Sequence, residues 1–418
     1  MKNRPKVVII GAGFGGISIA KKLSKENVDI ILIDRNNYHM FQPLLYQVAT
    51  GGLEPSNIAY PVRRVFRDRK NVKFRMAEVI NVNTSDKVVN TNLFPIEYDY
   101  LIIATGSKNN FFNFDPISDH FHSLKTVTDA LDIRNTLMQN LEKLNNVSDE
   151  TTKDALLNIS IIGAGPAGVE IAGALAEMRK KVLPRDFPEF DFNKMNIYLF
   201  EGGDRVLANM SQESSDVSLK YLTQLGVDVK LNALVKDFDG NTIELADGTT
   251  YKSSTAIWTA GVKAAPIGGI APKYIAKADR ILVNEYNQLL NNPDVFAIGD
   301  VAVHVNDADP QGLPMLAQVA IQQGEHLAKN IARLCSQKEM IPFDYNDKGI
   351  MATTGRNKAV VDLPRIKFQG VFAWFVWMFI HLMSLVGFRN KLITFIDWTQ
   401  NYFNYDRPLG AIIRKYGK

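Results

Sequence analysis

The sequence writes almost the same fourteen residues twice: VVIIGAGFGGISIA from Val7 to Ala20 and ISIIGAGPAGVEIA from Ile159 to Ala172. Each copy opens with a short, β-branched apolar run, as a parallel strand buried on both faces requires, and passes through clustered glycines into a helical period. In a G-x-G-x-x-G turn the first glycine makes the bend and the second lets a pyrophosphate approach the backbone. The third lets the helix pack close to the strand. Gly11, Gly13 and Gly16 fill these positions in the first copy, with Phe14 and Gly15 at the head of the helix. Gly163, Gly165 and Gly168 fill them in the second, with Pro166 and Ala167. Free N–H groups and the positive end of the helix dipole then face a phosphate.

The context extends the repeat. DIILID is a second predicted strand ending in Asp34, 18 residues beyond Gly16 and followed by Arg35. That is close to the spacing of roughly 20 at which an acid meets a ribose hydroxyl pair. NIYLFE ends in Glu201 after a longer interval that contains RKKVLPRDFPEFDF. Two complete strand–turn–helix–strand–acid units imply two dinucleotides, each with its own domain; two α/β repeats without nucleotides are the alternative. A carboxylate at Glu201 disfavours a 2′-phosphate, so NADH is expected over NADPH, although Arg205 stands nearby.

Three further runs read as buried strands ending in small-residue turns or an acid: YDYLIIATG with Ala104, Thr105 and Gly106, TAIWTAGV with Ala260 and Gly261, and NPDVFAIGD with Gly299 and Asp300. A helix is predicted from Thr126 to Leu144, and a longer one from Pro314 to Leu334 with its proline in the first turn. Val227–Leu231 and Thr242–Lys252, the latter turning at Asp247–Gly248, are predicted to extend the second sheet.

With 46% hydrophobic and 22% charged residues, 418 residues suffice for two or three domains with real cores. No basic cluster with interleaved aromatics stands out in the main body, which argues against nucleic acid. The single cysteine, Cys335, permits no intrachain disulfide and points to a reducing compartment. Six scattered histidines, His39 among them, show no metal-ligand spacing. Lys6 leads straight into the first strand, so no leader segment is expected. The net charge of +4 hides an asymmetry: residues 365–418 carry eight Lys/Arg against Asp397 and Asp406, and the same stretch is the most apolar and aromatic of the chain.

The ordered set GxGxxG…D, ATG, GxGxxG…E, TAGV and FAIGD resembles the two-dinucleotide-binding-domain flavoproteins. The resemblance implies an α/β fold of two Rossmann-like domains, the first holding FAD and the second, inserted into it, NADH. Asp300 then holds the flavin ribityl chain. The lone cysteine serves neither a disulfide reductase nor a sulfide:quinone reductase, whose chemistry needs cysteine sulfur. AQVAIQQG, Ala317–Gly324, is similar to the A-Q-x-A-x-Q-x-G motif of type II NADH dehydrogenases, the single-subunit NADH:quinone oxidoreductases that do not pump protons. NYHMFQPLLYQVATG (with Gln42 and Gln47), Glu170 directly after the second fingerprint, YNDKGIMATTG around Lys348 and YFNYDRPLG near the end agree with that family. The resemblance implies two-electron transfer from NADH through FAD to menaquinone or ubiquinone. It places Ala317, Gln318, Gln42, Gln47 and Val79 at the flavin, and Glu170, Gln318, Gln322 and Lys348 in the catalytic step. Read as residues alone, the two glutamines are equally polar positions on a solvated helix face, and Glu170 is equally a helix-capping acid.

Three regions are expected: a discontinuous FAD domain (1–115 and 263–340), an NADH domain (116–262) and a C-terminal membrane-anchoring and dimerisation region (341–418). Val371 to Val386 is apolar-biased and interrupted by His381, and falls short of the roughly 20 residues of a spanning helix. Next, Phe388, Leu392, Phe395 and Ile396 share one helical stripe, with Asn390, Thr394 and Asp397 elsewhere. Trp374, Trp377 and Trp398 suit a lipid interface, and Arg389 and Lys391 flank the segment. The expectation is a monotopic anchor on the cytoplasmic side of the cell membrane and a homodimer, with a true transmembrane helix or a buried dimer contact as alternatives. A soluble ferredoxin or rubredoxin reductase, and an apoptosis-inducing-factor-like flavoprotein controlled by its redox state, are the competing functions.

Overall fold

The computed structural model describes residues 4–112, 119–306, 309–404 and 410–414. Its chain forms two compact units, residues 1–40, 60–108 and 262–347 in one and residues 41–59, 109–261 and 348–418 in the other.

The first unit is built on a five-stranded parallel sheet in the order Val295–Ala297, Tyr100–Ile103, Lys6–Ile10, Asp29–Asp34, Val72–Met76. Because side chains alternate across a strand, Val7 and Ile9 enter one apolar layer while Val8 and Ile10 enter the opposite one. Helices Phe14–Leu23 and Ala317–Cys335 cover the first layer with Ile17, Leu23, Leu327 and Ile331. They approach closely because Gly324 lacks a side chain: a Cβ there would lie 2.7 Å from the Gly15 carbonyl oxygen. A small antiparallel sheet, Val79–Asn83, Val88–Thr91 and Pro95–Glu97, covers the other layer through Val82, Val89 and Ile96. The long helix begins at Ala317 rather than near Pro314, because the Leu316 N–H turns back to the Pro314 carbonyl and leaves Leu316 as the N-cap.

The second unit repeats the plan. Its parallel sheet runs His122–Ser123, Thr255–Trp258, Ile159–Ile162, Ile197–Phe200, Asp228–Lys230. The expected strand near Val227–Leu231 takes the edge. Thr242–Lys252 forms the expected hairpin, but in a separate antiparallel sheet with Val235–Phe238. The reason is its alternating burial: Ile243 and Leu245 pack on Phe200 and Trp258 while their neighbours face solvent, a pattern that suits a one-sided sheet. The predicted helix after Thr126 is Val127–Leu144, opened by a reciprocal capping pair between Thr126 and Asp129.

The C-terminal region does not stand apart as expected. The antiparallel strands Ile350–Thr353, Ala359–Asp362 and Lys367–Gln369 and the helices Val371–Ser384 and Phe388–Asn404 cluster with the second fingerprint. So does the segment 41–59, which the sequence assigned to the FAD domain. The division expected between residues 115 and 116, and residues 405–409 of the YFNYDRPLG motif, lie outside the described residues.

The helix Phe388–Asn404 is amphipathic in the inverse sense. Asn390, Thr394 and Trp398 are buried, whereas Phe388, Leu392, Phe395, Ile396 and Phe403 are exposed. Its inner face is held by hydrogen bonds. Asn390 Nδ2 donates to the carbonyls of Ser56 and Asn57 (both 3.0 Å), Asn57 Nδ2 to Asp397 (2.6 Å), Trp398 Nε1 to Gln47 Oε1 (2.7 Å) and Asn401 Nδ2 to the Gly52 carbonyl (2.9 Å). Two arginines close its C-terminus: Arg356 donates to the carbonyls of Asn401 and Tyr402, and Arg185 to that of Asn404.

Gly173, on the helix Pro166–Lys181, is what lets the strand ending at Thr353 lie against that helix: a Cβ there would meet the Thr354 carbonyl carbon at 2.7 Å and Gly355 N at 3.0 Å. Gly173→Ala should therefore destabilise the protein by about 1–3 kcal/mol despite its higher helix propensity. Thermal melting checks this, and an unchanged or raised midpoint would refute the close approach.

Candidate functional site

The first fingerprint turn is shaped by three constraints. Gly11 has φ +101°, and a Cβ on it would stand 2.3 Å from the Ala104 carbonyl oxygen, so the ATG segment lies directly against the turn. Gly13 is exposed with nothing within 4 Å of a Cβ position, and it caps the helix without a side-chain hydrogen bond. Asp34 accepts from Ala12 N (2.7 Å) and Asn36 N (2.7 Å), which orients its carboxylate at the end of its strand. Burial nevertheless raises its pKa, those two backbone donors opposing the shift. Thr105 Oγ1 is buried with no hydrogen-bond partner among the described residues. Open space over a glycine, uncapped amides and an orphaned hydroxyl fit a dinucleotide pyrophosphate.

The second turn repeats the glycine geometry and the backbone donors to the acid. Gly163 has φ +98° and its Cβ would meet the Ala260 backbone at 2.7 Å. Gly165 is open and lacks a side-chain cap, with Pro166 at the first helical position and Ala167 exposed beside it. Glu201 accepts from Ala164 N (2.8 Å) and Gly203 N (2.8 Å). Gly261, with φ +76°, follows Ala260 at the end of its strand.

Asp300, after the positive-φ Gly299, accepts from Ser107. Sequence reasoning missed three supports in this unit. Ser107 is one. Gln323, the second glutamine of QQG, is buried and its Oε1 accepts from Gly299 N at 2.7 Å. His39 is buried and pushed down to about 4 by that burial, so its Nδ1–H donates to the Ala12 carbonyl at 2.9 Å and braces the turn. Its Phe14 contact, edge to face at 5.3 Å, adds to the brace. The repeat marks glycines and acids, and nothing in the local sequence marks these polar residues as their partners.

Gln318 lies half-buried in the first turn of its helix beside Ala317. Gln322, predicted to share a role with it, is already engaged: its Nε2 donates to the Asn346 carbonyl (3.0 Å) and its Oε1 accepts from Asn346 N (3.1 Å). Arg35 and Lys348 are exposed, and Val79 sits half-buried at the head of the small antiparallel sheet. Gln42 opens a short 3-10 turn. Gln47, expected at the flavin, is hydrogen-bonded on both sides of its amide: its Oε1 takes Trp398 and its Nε2 donates to the Tyr46 hydroxyl at 2.9 Å.

These contacts belong to a pocket within the second unit, with about 620 Å³ of empty space. Tyr46 and Gln47, Glu177 and Arg356, and Trp374, Trp377 and Trp398 are among its walls. The tryptophans expected at a lipid interface thus turn inward, Trp377 to 1% exposure. His381, which interrupts the apolar run, stacks on Trp377 at 4.0 Å and donates to that residue's carbonyl at 2.7 Å. Burial drives its pKa to about 4, so the ring is neutral.

Glu170 stands one helical turn before Ala174, another wall residue, and is buried. It does not cap the helix, whose N-cap is Gly165. Burial pushes its carboxyl up to about 8, against weaker lowering by the Thr353 backbone and the Trp377 indole. Trp377 Nε1 lies near enough to favour the carboxylate but meets no acceptor at ordinary hydrogen-bond geometry.

Residues 5–324 match the model of the pyridine nucleotide-disulphide oxidoreductase family, and residues 348–404 that of the NDH2 C-terminal domain. The type II NADH:quinone oxidoreductase Ndh of Mycobacterium tuberculosis is 36% identical over 97% of this chain and 89% of its own length. The chain belongs to the type II NADH:quinone oxidoreductases. Another relative in this family, from Haemophilus influenzae, is 29% identical over 96% of the chain and 98% of its own length. NDH2 of Plasmodium falciparum, solved in complex with NADH, superposes with a TM-score of 0.88 over 97% of this chain and all of that one, at 22% identity. A sulfide:quinone oxidoreductase from Aquifex aeolicus shares the fold with a TM-score of 0.73 over 97% of this chain and 96% of its own, at 20% identity.

Proposed function

We infer that this chain oxidises NADH and passes two electrons through FAD to a membrane quinone without pumping protons. The observation that carries the residue-level reading is the aromatic pocket, a concave and mostly apolar site with a few polar groups among its walls, as ligand sites have. It is walled by the same helices whose outer faces are apolar. Bound FAD supplies the relay between two-electron donor and acceptor. The first turn and Asp34 hold FAD, and the second turn and Glu201 hold NADH. The pocket takes the quinone headgroup, menaquinone or ubiquinone, as the apolar and aromatic walls suit either. Below about pH 8 the Glu170 carboxyl keeps its proton and supplies it to the reduced quinone. Gln318 serves the quinone end with Ala317, while Gln322 positions the segment that leads to Lys348.

The exposed apolar faces of the two C-terminal helices support a peripheral seat on the membrane, which the reading puts on the cytoplasmic side. Among the described residues no helix is long and apolar enough to cross a bilayer. Phe372 and Phe379 on one helix and Phe388 on the next are each at least 64% exposed. A homodimer would cover part of the same surface. The tail, expected to anchor and to dimerise, also builds the pocket: a stop after Gly370 would remove Trp374, Trp377 and Trp398 from its walls.

Reduction and reoxidation of the flavin test the reading. Under anaerobic conditions NADH should bleach the yellow protein, and a short-chain quinone should restore the colour promptly. Slow recovery would favour the redox-controlled binding flavoprotein instead. Recovery should slow as pH rises through about 8, and Glu170→Gln should remove that inflection. The same titration acts on stability: a carboxyl raised from 4.5 to about 8 on folding stabilises most below 4.5, and the contribution is lost as pH climbs through 8. Gln318→Leu should slow recovery by about ten-fold or more with bleaching nearly intact; equal slowing of both would make it a flavin support.

Membrane seating is tested without touching the pocket. Replacing Phe372, Phe379 and Phe388 by serine should lower partitioning to liposomes more than about a hundred-fold, at about 2 kcal/mol for each buried ring. Turnover with water-soluble quinones should persist. Continued flotation with liposomes would count against the anchor.

A further inference from the structure

The segment after Glu201 folds back on the second fingerprint. Leu207 adopts φ +50°, a left-handed conformation uncommon for a branched side chain, and is buried. Its N–H donates to the Ala164 carbonyl at 2.8 Å, and Ala164 N in turn donates to Glu201. Gly203 N binds the other oxygen of the same carboxylate. Arg205 therefore lies between two points fastened to the ribose end of the site, in a segment from which an arginine can receive a 2′-phosphate.

Its guanidinium is not left open to one. Arg205 Nη2 donates to the Ala208 carbonyl at 2.6 Å, which the Leu207 conformation turns toward it, and Nη1 donates to Gln212 Oε1 at 3.1 Å. Gln212 Nε2 donates to Asp216 at 2.8 Å, which fixes the amide orientation and keeps its oxygen on Arg205. Each link in this chain is a donor matched to an acceptor, and all three involve an ionised group, the stronger kind.

We propose that Arg205 is a latent 2′-phosphate receptor, latched aside by Ala208 and Gln212. Preference for NADH over NADPH then has two parts: Glu201 repels the phosphate, and the latch withholds the cation that would bind it. The proposal rests on the placement of the NADH ribose at Glu201. Removing the carboxylate alone gives a tolerant site; releasing Arg205 as well gives one that selects the phosphate.

The test compares binding of 2′,5′-ADP and 5′-AMP to the FAD-loaded protein by calorimetry, beside kcat/KM for NADPH and NADH. Glu201→Gln should tighten 2′,5′-ADP relative to 5′-AMP by about ten-fold. Adding Gln212→Leu should give a further gain of about ten-fold for 2′,5′-ADP only, weakened by salt. Gln212→Asn, one methylene short of Arg205, should reproduce it if the leucine variant folds poorly. Arg205→Ala placed on the double variant should cancel the added gain. If the second gain is missing, or survives Arg205→Ala, the latch is wrong while Glu201 keeps its role. If Glu201→Gln alters neither nucleotide nor the KM for NADH, the ribose is not at Glu201, and both readings fall together.

Discussion

The whole arrangement depends on two places where a helix touches the turn that precedes it. A Cβ on Gly16 would stand 1.8 Å from the Gly11 carbonyl oxygen, and one on Gly168 1.9 Å from that of Gly163. No side chain fits, so glycine alone lets each helix start hard against its strand. From that contact follows the direction of the helix N-terminus, and with it the free amides that face a phosphate. It also brings the amide of the residue after the first glycine within reach of the acid ending the next strand, as Ala12 meets Asp34 and Ala164 meets Glu201. The duplicated spelling in the chain is a duplicated steric solution.

Much of this was legible because the physics is local. A glycine forced to positive φ, a strand buried on both faces and an acid one strand away all leave marks within about 30 residues. Ala104 and Ala260 were found because each ends an apolar strand in a small residue, and the structure explains the smallness: each backs onto the first glycine of a turn. The long-range pairs were harder. Trp398 and Gln47 are hydrogen-bonded across 351 residues, and nothing in either neighbourhood announces the other. Gln322 looked like a ligand-facing twin of Gln318 because both lie on one helix face, yet Asn346 engages its amide.

The tail was the most misleading segment. Aromatic enrichment beside an apolar run reads equally well as a lipid belt or as a buried wall, since indole suits both a headgroup layer and a cavity with one acceptor. Trp398 settles inward because Gln47 receives its N–H, and Trp377 because His381 stacks on it. The phenylalanines, with no polar atom to satisfy, take the outer face.

If the exposed phenylalanines seat this helix in lipid, as proposed, its inverse amphipathic build governs how the protein leaves a bilayer. A surface helix ordinarily holds to its protein through apolar contacts, so a segment whose oil-loving side faces outward would be expected to let go in water or detergent. Here the grip is made of side-chain amides, a carboxylate, an indole and two guanidiniums, none of which a lipid tail can replace. Extraction should strip lipid from the phenylalanines without unfastening the helix. The aromatic chamber beneath would then survive the transfer intact.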